Sequence, residues 1–433
     1  MDGLAKRLRL VLDRRLSVSN LLEKLDGLYG PDMAITLPRP VMPSLFPRPG
    51  ISIREALRLS NLVAEALIRR LDLRKGERVL VISPDAGEAF LVTLSLVKAG
   101  GIAVPLSTPP RENRLQVLIR EGGIRKALLG GGFLRQNPSG RAELPIGRNG
   151  IQAVAVNAAD AGPGELSLEE ASAESSGFFI PYTLKPGSVV AIAPRGGEDG
   201  RPLLVMATSR AILYAARALS CFLPVGNGGR CLFLLPPEGA SWLSAASLAL
   251  CAGLHLEFAG AEETPASRQR AEGKAPRMAV ADPPRISRLS AGQGEGSRLS
   301  GARLWICVDV PEGTRRDETG PPAMGLWSRG GGIIILELSS IQDMAPLALL
   351  RLSLAGKRAV LSTPFLPLPP HRIMRGSGSP SGPSEVEAIR GPAVTPGWWN
   401  DLETSLRAWK NGWFYPRAAF RGPGVDPASF PRV

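Results

Sequence analysis

A glycine-rich stretch, "AIAPRGGEDGRPLLVMATSRAIL" at residues 191–213, has the spacing of a loop that could hold a phosphate group. Its glycines permit the tight turns in which main-chain N–H groups surround an anion. Apolar patterns predict a strand over 189–192 before it and a helix over 207–219 after it. The candidate nucleotide-binding residues of this loop are Arg195, Gly196, Gly197, Glu198, Asp199, Gly200, Arg201 and Thr208.

The side chains of this loop are unusual for a phosphate site. Glu198 and Asp199 are carboxylates, whereas triphosphates are bound by backbone N–H groups, hydroxyls and a lysine, usually with magnesium. Each like-charge contact at ~4 Å is unfavourable by about 1 kcal/mol in water and about 4 kcal/mol at an effective dielectric of 20. Arg195 or Arg201 could neutralise the carboxylates or contact phosphate, or the two carboxylates could hold magnesium. The favoured interpretation is a loop that keeps its turn but has lost its ligand.

The charge of the chain is strongly basic. Its 433 residues include 52 Lys+Arg and 39 Asp+Glu, which gives a net charge of +13. This balance is compatible with nucleic acid, anionic lipid or acidic metabolites as ligands. Because the charges are spread along the chain without a Lys/Arg run, arginine-rich solvated faces are the favoured explanation and nucleic acid is disfavoured.

Cysteine and histidine patterns argue against a metal centre. Cys221, Cys231, Cys251 and Cys307 lie in apolar runs without C-x-x-C spacing, which predicts buried free thiols in a reducing compartment. His255 lies within the apolar run "GLHLEFAG" and is predicted to be structural. A zinc site and a histidine-based catalytic triad are therefore not expected.

The N-terminal segment "MDGLAKRLRLVLDRRLSVSN" predicts an amphipathic helix. It has no apolar signal-peptide core, and the most apolar run, "LSAASLALCAGLHLEF", is shorter than the ~20 residues that span a bilayer. We therefore expect a cytoplasmic protein without a transmembrane segment.

Hydrophobic periodicity predicts a fold of alternating strands and helices. A helix is predicted over 53–72, followed by a strand over 79–82, a helix over 86–99 and a strand over 102–105. A similar unit occupies 230–258, and a further strand is predicted over 303–310. Such βαβ units indicate parallel sheets covered by helices.

Three stretches resemble the adenylate-forming superfamily of acyl-CoA synthetases, peptide-synthetase adenylation domains and luciferases. They are "GERVLVISPDAGEAFLVTLSLVKAGGIAVPLS", "GRPLLVMATSRAIL" and "SEVEAIRGPAVTPGWWNDLETSLRAWKNGWF". The third is the most specific, since it follows the family pattern G-E-[IL]-x-V-R-G-P-x-V-x-x-G-Y-W-N-D. The resemblance extends from about residue 50 to 420.

The resemblance implies an α/β fold with two stacked α/β subdomains and a small distorted β-barrel subdomain. The expected division is a first α/β subdomain at 1–180, a second at 181–345 that contains the degenerate phosphate loop, and a β-rich subdomain at 346–433. The resemblance implies that residue 433 lies near the family's hinge, and we expect no counterpart of the family's C-terminal domain and its lysine within these residues. The family activity joins a carboxylate to ATP, forming an acyl-adenylate and pyrophosphate, and usually passes the acyl group to a thiol.

The resemblance also shows which family ligands are replaced. Leu203 stands where the phosphate-loop motif has lysine, and Ser209 where it has histidine. Arg195 and Gly196 replace a threonine and a serine, whereas Gly200 and Pro202 are retained. The family histidine of L-P-x-F-H is absent from "LPPEGAS".

Three further family ligands are replaced: the adenine-stacking tyrosine, the magnesium-binding glutamate and the ribose-binding aspartate. On one register Ser339 replaces the adenine-stacking tyrosine and Asp343 the magnesium-binding glutamate; on another, Leu336 and Ser340 take these places. Asp343 is therefore the metal candidate on the first register. The ribose-binding aspartate is missing from the segment that contains Pro416, Arg417 and Ala418.

Three functions remain open. The favoured one is a degenerate acyl-CoA synthetase-like protein without full carboxylate-activating activity. It would bind an acyl group, or regulate a partner such as an active synthetase or a carrier protein, in fatty-acid or secondary metabolism. The alternative is an active AMP-forming ligase that uses ATP and Mg²⁺, with a separate chain supplying the C-terminal domain. The third is a basic protein that binds nucleic acid or a membrane surface. The sequence leaves the enzymatic status undecided and establishes no catalytic residue or cofactor.

Overall fold

The computed structural model describes residues 3–137, 151–196, 202–260, 276–282, 302, 304–308, 333–339, 349–355, 360–362, 366–367, 372–375, 386–399 and 401–415. The α-helices in these ranges are α1 (Gly3–Leu12), α2 (Leu21–Tyr29), α3 (Ile53–Arg69), α4 (Ala86–Lys98), α5 (Glu112–Gly122), α6 (Gly131–Gln136), α7 (Leu168–Ala173), α8 (Ser209–Ser220), α9 (Ser241–Cys251) and α10 (Leu402–Ala408).

The strands of the same ranges belong to three sheets. They are β1 (Ala34–Thr36), β2 (Gly50–Ser52), β3 (Arg78–Ile82), β4 (Ile102–Leu106), β5 (Lys126–Leu129), β6 (Gln152–Ala155), β7 (Val189–Gly196), β8 (Pro202–Thr208), β9 (Arg230–Phe233), β10 (His255–Phe258), β11 (Met278–Ala281), β12 (Leu304–Val308), β13 (Ile333–Ser339), β14 (Leu349–Ala355), β15 (Val360–Ser362), β16 (Leu366–Pro367), β17 (Arg372–Arg375), β18 (Val386–Arg390), β19 (Trp409–Lys410) and β20 (Trp413–Phe414).

A six-stranded sheet has the order β6-β5-β3-β4-β7-β8. Its first five strands in this order run parallel, and β8 pairs antiparallel with β7 at the edge. The predicted βαβ unit is confirmed by β3, α4 and β4. Asp85 begins α4 by accepting hydrogen bonds from the N–H groups of Gly87 and Glu88, as an N-cap residue does. At the end of the helix Gly100, with φ of 85°, makes the turn that leads into β4.

A ten-stranded sheet has the order β15-β14-β13-β12-β11-β9-β10-β1-β2, with β16 paired to β14. The strands from β1 through β10, β9, β11 and β12 to β13 are parallel, whereas β14 runs antiparallel to β13. The predicted strand–helix–strand unit at 230–258 is confirmed by β9, α9 and β10.

The two α/β layers stack through α4, which is buried along its whole length. Phe90 of α4 contacts Trp242 of α9 and Phe258 of β10, with ring centroids 6.3 and 5.6 Å apart. A side chain at Gly87 would lie 2.4 Å from Leu37, so glycine permits this close approach. Since α4 packs against both layers, its sequence is mostly apolar, and its few polar residues, such as Glu88 and Lys98, are buried too. The predicted fold class, with two stacked α/β units, is confirmed.

A third, antiparallel sheet has the order β17-β18-β20-β19. It lies in the part of the chain for which a barrel was expected, and closure into a barrel stays a prediction. The expected subdomain boundary between residues 180 and 181 also stays a prediction. The six-stranded sheet draws strands from both sides of that boundary, since β7 and β8 follow it in sequence.

Candidate functional site

The predicted phosphate loop lies at the tip of the β7–β8 hairpin. The two strands pair through Arg195 with Leu203 and through Gly196 with Pro202. The loop is therefore shorter than expected, because Leu203 belongs to a strand. The predicted helix start at residue 207 is also wrong, since β8 continues to Thr208. The candidates between the strands, Gly197, Glu198, Asp199, Gly200 and Arg201, lie outside the described residues.

Thr208 serves as the N-cap of α8. Its hydroxyl accepts a hydrogen bond from the N–H of Ala211 at 3.1 Å, and the residue is buried. An N-cap side chain satisfies one of the N–H groups that have no partner at the start of a helix. The structure thus gives Thr208 a role in starting α8 directly after the hairpin.

Ser209, at the position of the family histidine, is held by the N-terminal segment. Its hydroxyl accepts a hydrogen bond from the N–H of Val18 at 3.0 Å, and its own N–H donates to the carbonyl of Ser188. Since Ser209 is 1% exposed, its hydroxyl is not presented to solvent. This position joins two parts of the chain.

The segment at 397–399, from the most specific stretch of the sequence resemblance, binds the free edge of β8. The N–H of Trp399 donates to the carbonyl of Leu204 at 2.7 Å, and the N–H of Met206 donates to the carbonyl of Gly397 at 3.1 Å. The guanidinium of Arg78 lies 5.1 Å from the ring centroid of Trp399, which is within cation–π range. The hairpin therefore has a neighbour on both sides: β4 lies along β7, and the segment at 397–399 lies along β8.

A polar contact joins the carboxyl ends of strands from the two large sheets. The hydroxyl of Ser107, which follows β4, donates to the carboxylate of Glu238 in the turn after β9. Ligands of open α/β folds bind beyond the carboxyl ends of parallel strands. These turns and the β7–β8 hairpin are therefore the regions of interest for ligand binding. The metal candidate Asp343 lies outside the described residues, as do Pro416, Arg417 and Ala418.

A buried polar cluster that sequence reasoning missed lies at the carboxyl edge of the six-stranded sheet. Ser83 and Gly131, which follow β3 and β5, donate to the Glu88 carboxylate at 2.6 and 3.2 Å. Asn157, which follows β6, donates to it at 3.2 Å and accepts from the N–H of Met42 at 3.0 Å. The one local signal in the sequence was a glutamate in the first turn of an otherwise apolar helix, five residues after Ser83.

Burial and the neighbouring Asp85 carboxylate raise the pKa of Glu88 to about 7, against the opposing effect of its three hydrogen-bond donors. Here the strand order reverses, because β4 and β5 lie on opposite sides of β3. Both carboxylate oxygens of Glu88 are used within the protein. The cluster therefore holds the loops after β3, β5 and β6 together.

Among the residues that the structure describes, two cysteines meet the prediction of buried free thiols, and His255 meets the prediction of a structural role. Cys231 and Cys251 are buried and Cys221 is half-buried, all as free thiols. Burial raises the pKa of the Cys251 thiol to about 12, which disfavours a reactive thiolate. The His255 ring accepts from the N–H of Ala34 at 3.1 Å, a structural contact between neighbouring strands β10 and β1. No group of three metal-ligating side chains occurs in the described ranges.

Comparison with known proteins identifies the class. Residues 41–272 match the family of AMP-binding enzymes, and because this match spans more than half of the 433 residues, the chain belongs to that family. The expected membership of the adenylate-forming superfamily is confirmed.

Solved structures of the same class share the fold. ATP-bound MatB from Rhodopseudomonas palustris is similar with a TM-score of 0.70 and 20% identity, over 92% of this chain and 75% of MatB. The N-terminal domain of FACL13 from Mycobacterium tuberculosis is similar with a TM-score of 0.69 and 17% identity, over 92% and 95%. The anthranilate CoA ligase AuaEII in complex with anthranoyl-AMP gives a TM-score of 0.71 and 16% identity, over 93% and 75%.

A curated protein with a similar sequence is much longer than this chain. The phenyloxazoline synthase MbtB of Mycobacterium tuberculosis is 22% identical over 200 residues, which is 46% of this chain and 12% of the synthase. The match thus corresponds to about an eighth of that relative's length. Among the helices that the structure describes, none combines the length and apolar character needed to cross a membrane.

Proposed function

We propose that this chain is an adenylation-like protein that lacks full ATP-dependent carboxylate activation and acts by binding an acyl group or a partner protein. The observation that carries the proposal is the pairing of Leu203 with Arg195 in the β7–β8 hairpin. The resemblance places the phosphate-loop lysine at Leu203, and an apolar side chain supplies no ammonium group there. Removing one charged or polar contact to the transition state typically lowers a rate by ~10²–10³.

A second observation supports the same proposal. The Ser209 hydroxyl, at the position of the family histidine, is bound to the Val18 N–H in the protein interior. The hydrogen bonds of Thr208 and Trp399 stabilise the hairpin and the start of α8, and both are made within the protein. Retained packing combined with lost ligands favours a binding function over catalysis.

The test is calorimetric titration of the chain with Mg-ATP, AMP and a non-hydrolysable acyl-adenylate mimic. We expect neither Mg-ATP nor AMP to bind, whereas binding of the acyl mimic would identify an acyl-binding protein. If no small molecule binds, capture of one stoichiometric partner, such as an active synthetase or a carrier protein, is expected. Micromolar affinity for Mg-ATP would overturn the proposal.

A matched variant makes this test sharper. Leu203→Lys restores the ammonium group of the family motif, and Leu203→Met is the control that changes the side chain without adding charge. If lost ligands explain the absence of nucleotide binding, Leu203→Lys should raise the affinity for Mg-ATP relative to Leu203→Met. Equal titration curves for the two variants would mean that Leu203 is not the limiting position.

A second candidate function is carboxylate activation with the C-terminal domain supplied by a separate chain. It is favoured by the exposed Arg195 at the end of β7, which could contact phosphate. In that case Glu198 and Asp199 would hold Mg²⁺ and Arg201 would bind phosphate. The purified chain, alone or with the products of neighbouring genes, should then form an adenylate. That activity should be lost in Glu198→Ala and in Arg201→Ala.

A further inference from the structure

Helix α1 presents a row of leucines to solvent. Leu4, Leu8 and Leu12 are exposed, and Leu12 retains 76% of its accessible surface. They are spaced four residues apart, so they lie along one side of the helix. We call these three residues the leucine face.

The opposite side of α1 is fixed to the body of the protein. Leu10 is buried, and the buried guanidinium of Arg7 donates hydrogen bonds to the carbonyls of Ser220 and Leu223. These carbonyls flank Phe222 in the turn after α8, and Phe222 is 81% exposed. Arg7 therefore fixes α1 to the turn that carries Phe222.

Basic side chains border this apolar surface. Arg9 is exposed on α1, and Arg14 and Arg15 are exposed directly after it. The carboxylate of Asp13, between these arginines in sequence, is paired with Lys24 at 2.7 Å. The local charge is therefore positive, in line with the net charge of +13 for the whole chain.

We propose that the leucine face, together with Arg9, Arg14 and Arg15, binds the headgroup region of an anionic lipid bilayer. A short helix with leucines on one side and arginines at its border is typical of helices that lie in the membrane interface. Because a few apolar side chains give only weak insertion, the arginines must add electrostatic attraction to anionic headgroups. Since α1 is already folded and packed, binding requires no ordering of the helix.

Charge argues for a lipid surface over a second copy of this chain. In a two-fold symmetric contact the surface would face itself, which would bring the arginines of the two copies together. Such like-charge contacts disfavour association. An anionic bilayer complements both the apolar and the basic residues.

The experiment is sedimentation of the full chain with phosphatidylcholine vesicles, with and without phosphatidylserine. We expect binding only to vesicles that contain phosphatidylserine, and weaker binding as salt is raised. The double variant L8S/L12S should lower the affinity by roughly tenfold or more, given the apolar area withdrawn from the bilayer. The double variant R14E/R15E should lower it by roughly tenfold or more through its electrostatic contribution.

Matched controls separate this surface from general stickiness. Leu402 and Leu406 are exposed leucines four residues apart on α10, so L402S/L406S makes the same change elsewhere. Arg111 and Arg114 are exposed at the start of α5, so R111E/R114E matches the charge reversal. Both controls should bind vesicles like the original chain. Because the substituted side chains are exposed, each variant should stay folded, and an unfolding transition close to that of the original chain checks this.

Three outcomes would overturn the proposal. They are absence of binding to phosphatidylserine vesicles, binding that L8S/L12S leaves intact, and binding that is lost equally in L402S/L406S. A stoichiometric protein partner or a dimer that depends on the leucine face, without any affinity for vesicles, would likewise replace the lipid surface as the occupant.

Discussion

Glu88→Gln is expected to stabilise the protein at neutral and alkaline pH and to leave its stability in acid unchanged. The Glu88 carboxyl group is buried among the loops that follow β3, β5 and β6, and its pKa is raised from 4.5 to about 7. A raised pKa means that the folded state favours the protonated form. The stability that this form contributes is fully present below pH 4.5 and is lost as the pH rises through about 7.

The size of the effect follows from the interval between the two pKa values. At about 1.4 kcal/mol per pH unit, the rise from 4.5 to about 7 corresponds to about 3 kcal/mol of unfolding free energy. Glutamine resembles the protonated acid in shape and carries no charge. Its oxygen can accept from Gly131 and Asn157, and its amide can donate to Ser83, whose hydroxyl lies 3.2 Å from the carbonyl of Asp85.

Urea unfolding of both proteins across pH 4.5 to 8 measures the effect. The free energy of unfolding of Glu88→Gln should exceed that of the original chain increasingly above pH 4.5, and the difference should level off above about pH 7. Glu112→Gln, at an exposed site on α5, controls for the same change on the surface. Parallel pH profiles for the original chain and Glu88→Gln would refute the reasoning.

Two further substitutions test the packing around the candidate site. Gly130→Ala should lower the free energy of unfolding by about 1–3 kcal/mol, because its Cβ would lie 2.0 Å from a carboxylate oxygen of Glu88. Gly187→Ala, with no atom within 4 Å of its Cβ, should be tolerated, and similar losses in both variants would contradict this explanation. Thr208→Ala should lower stability by about 1 kcal/mol through loss of the hydrogen bond from Ala211, whereas Thr208→Ser should retain most of it. Chemical unfolding measures these differences, and equal stability of the two Thr208 variants would exclude the capping role.

Local patterns predicted the elements whose conformation depends on near neighbours in sequence. The unit β3–α4–β4 was predicted to within a residue or two, because a buried apolar strand, a capped helix and a Gly-Gly turn follow one another there. The strand β8 was missed, since "PLLVMAT" has no alternation of polar and apolar residues. Its strand conformation is set by pairing with β7 and by Trp399, which lies almost two hundred residues further along the chain.

Partners distant in sequence also explain what was missed in the candidate site. The Glu88 cluster joins residues from the ends of three strands, and the sheet order places those ends side by side. Nothing in the residues around Glu88 alone shows that Asn157 donates to it. Thr208 was predicted to contact a nucleotide, whereas the structure shows its hydroxyl bonded to the start of α8.

The sequence by itself determined which chemical groups are available. Leucine at 203 has no ammonium group in any fold, and the resemblance to AMP-binding enzymes rested on residue types and spacing alone. The tertiary structure decided where those groups are placed and which of them remain free to act. The periodicity of α1 indicated an amphipathic helix, but only the burial of Leu10 and the hydrogen bonds of Arg7 to the end of α8 and its following turn determined that the leucine face meets solvent. Such contacts depend on segments far apart in the chain, and only folding brings these together.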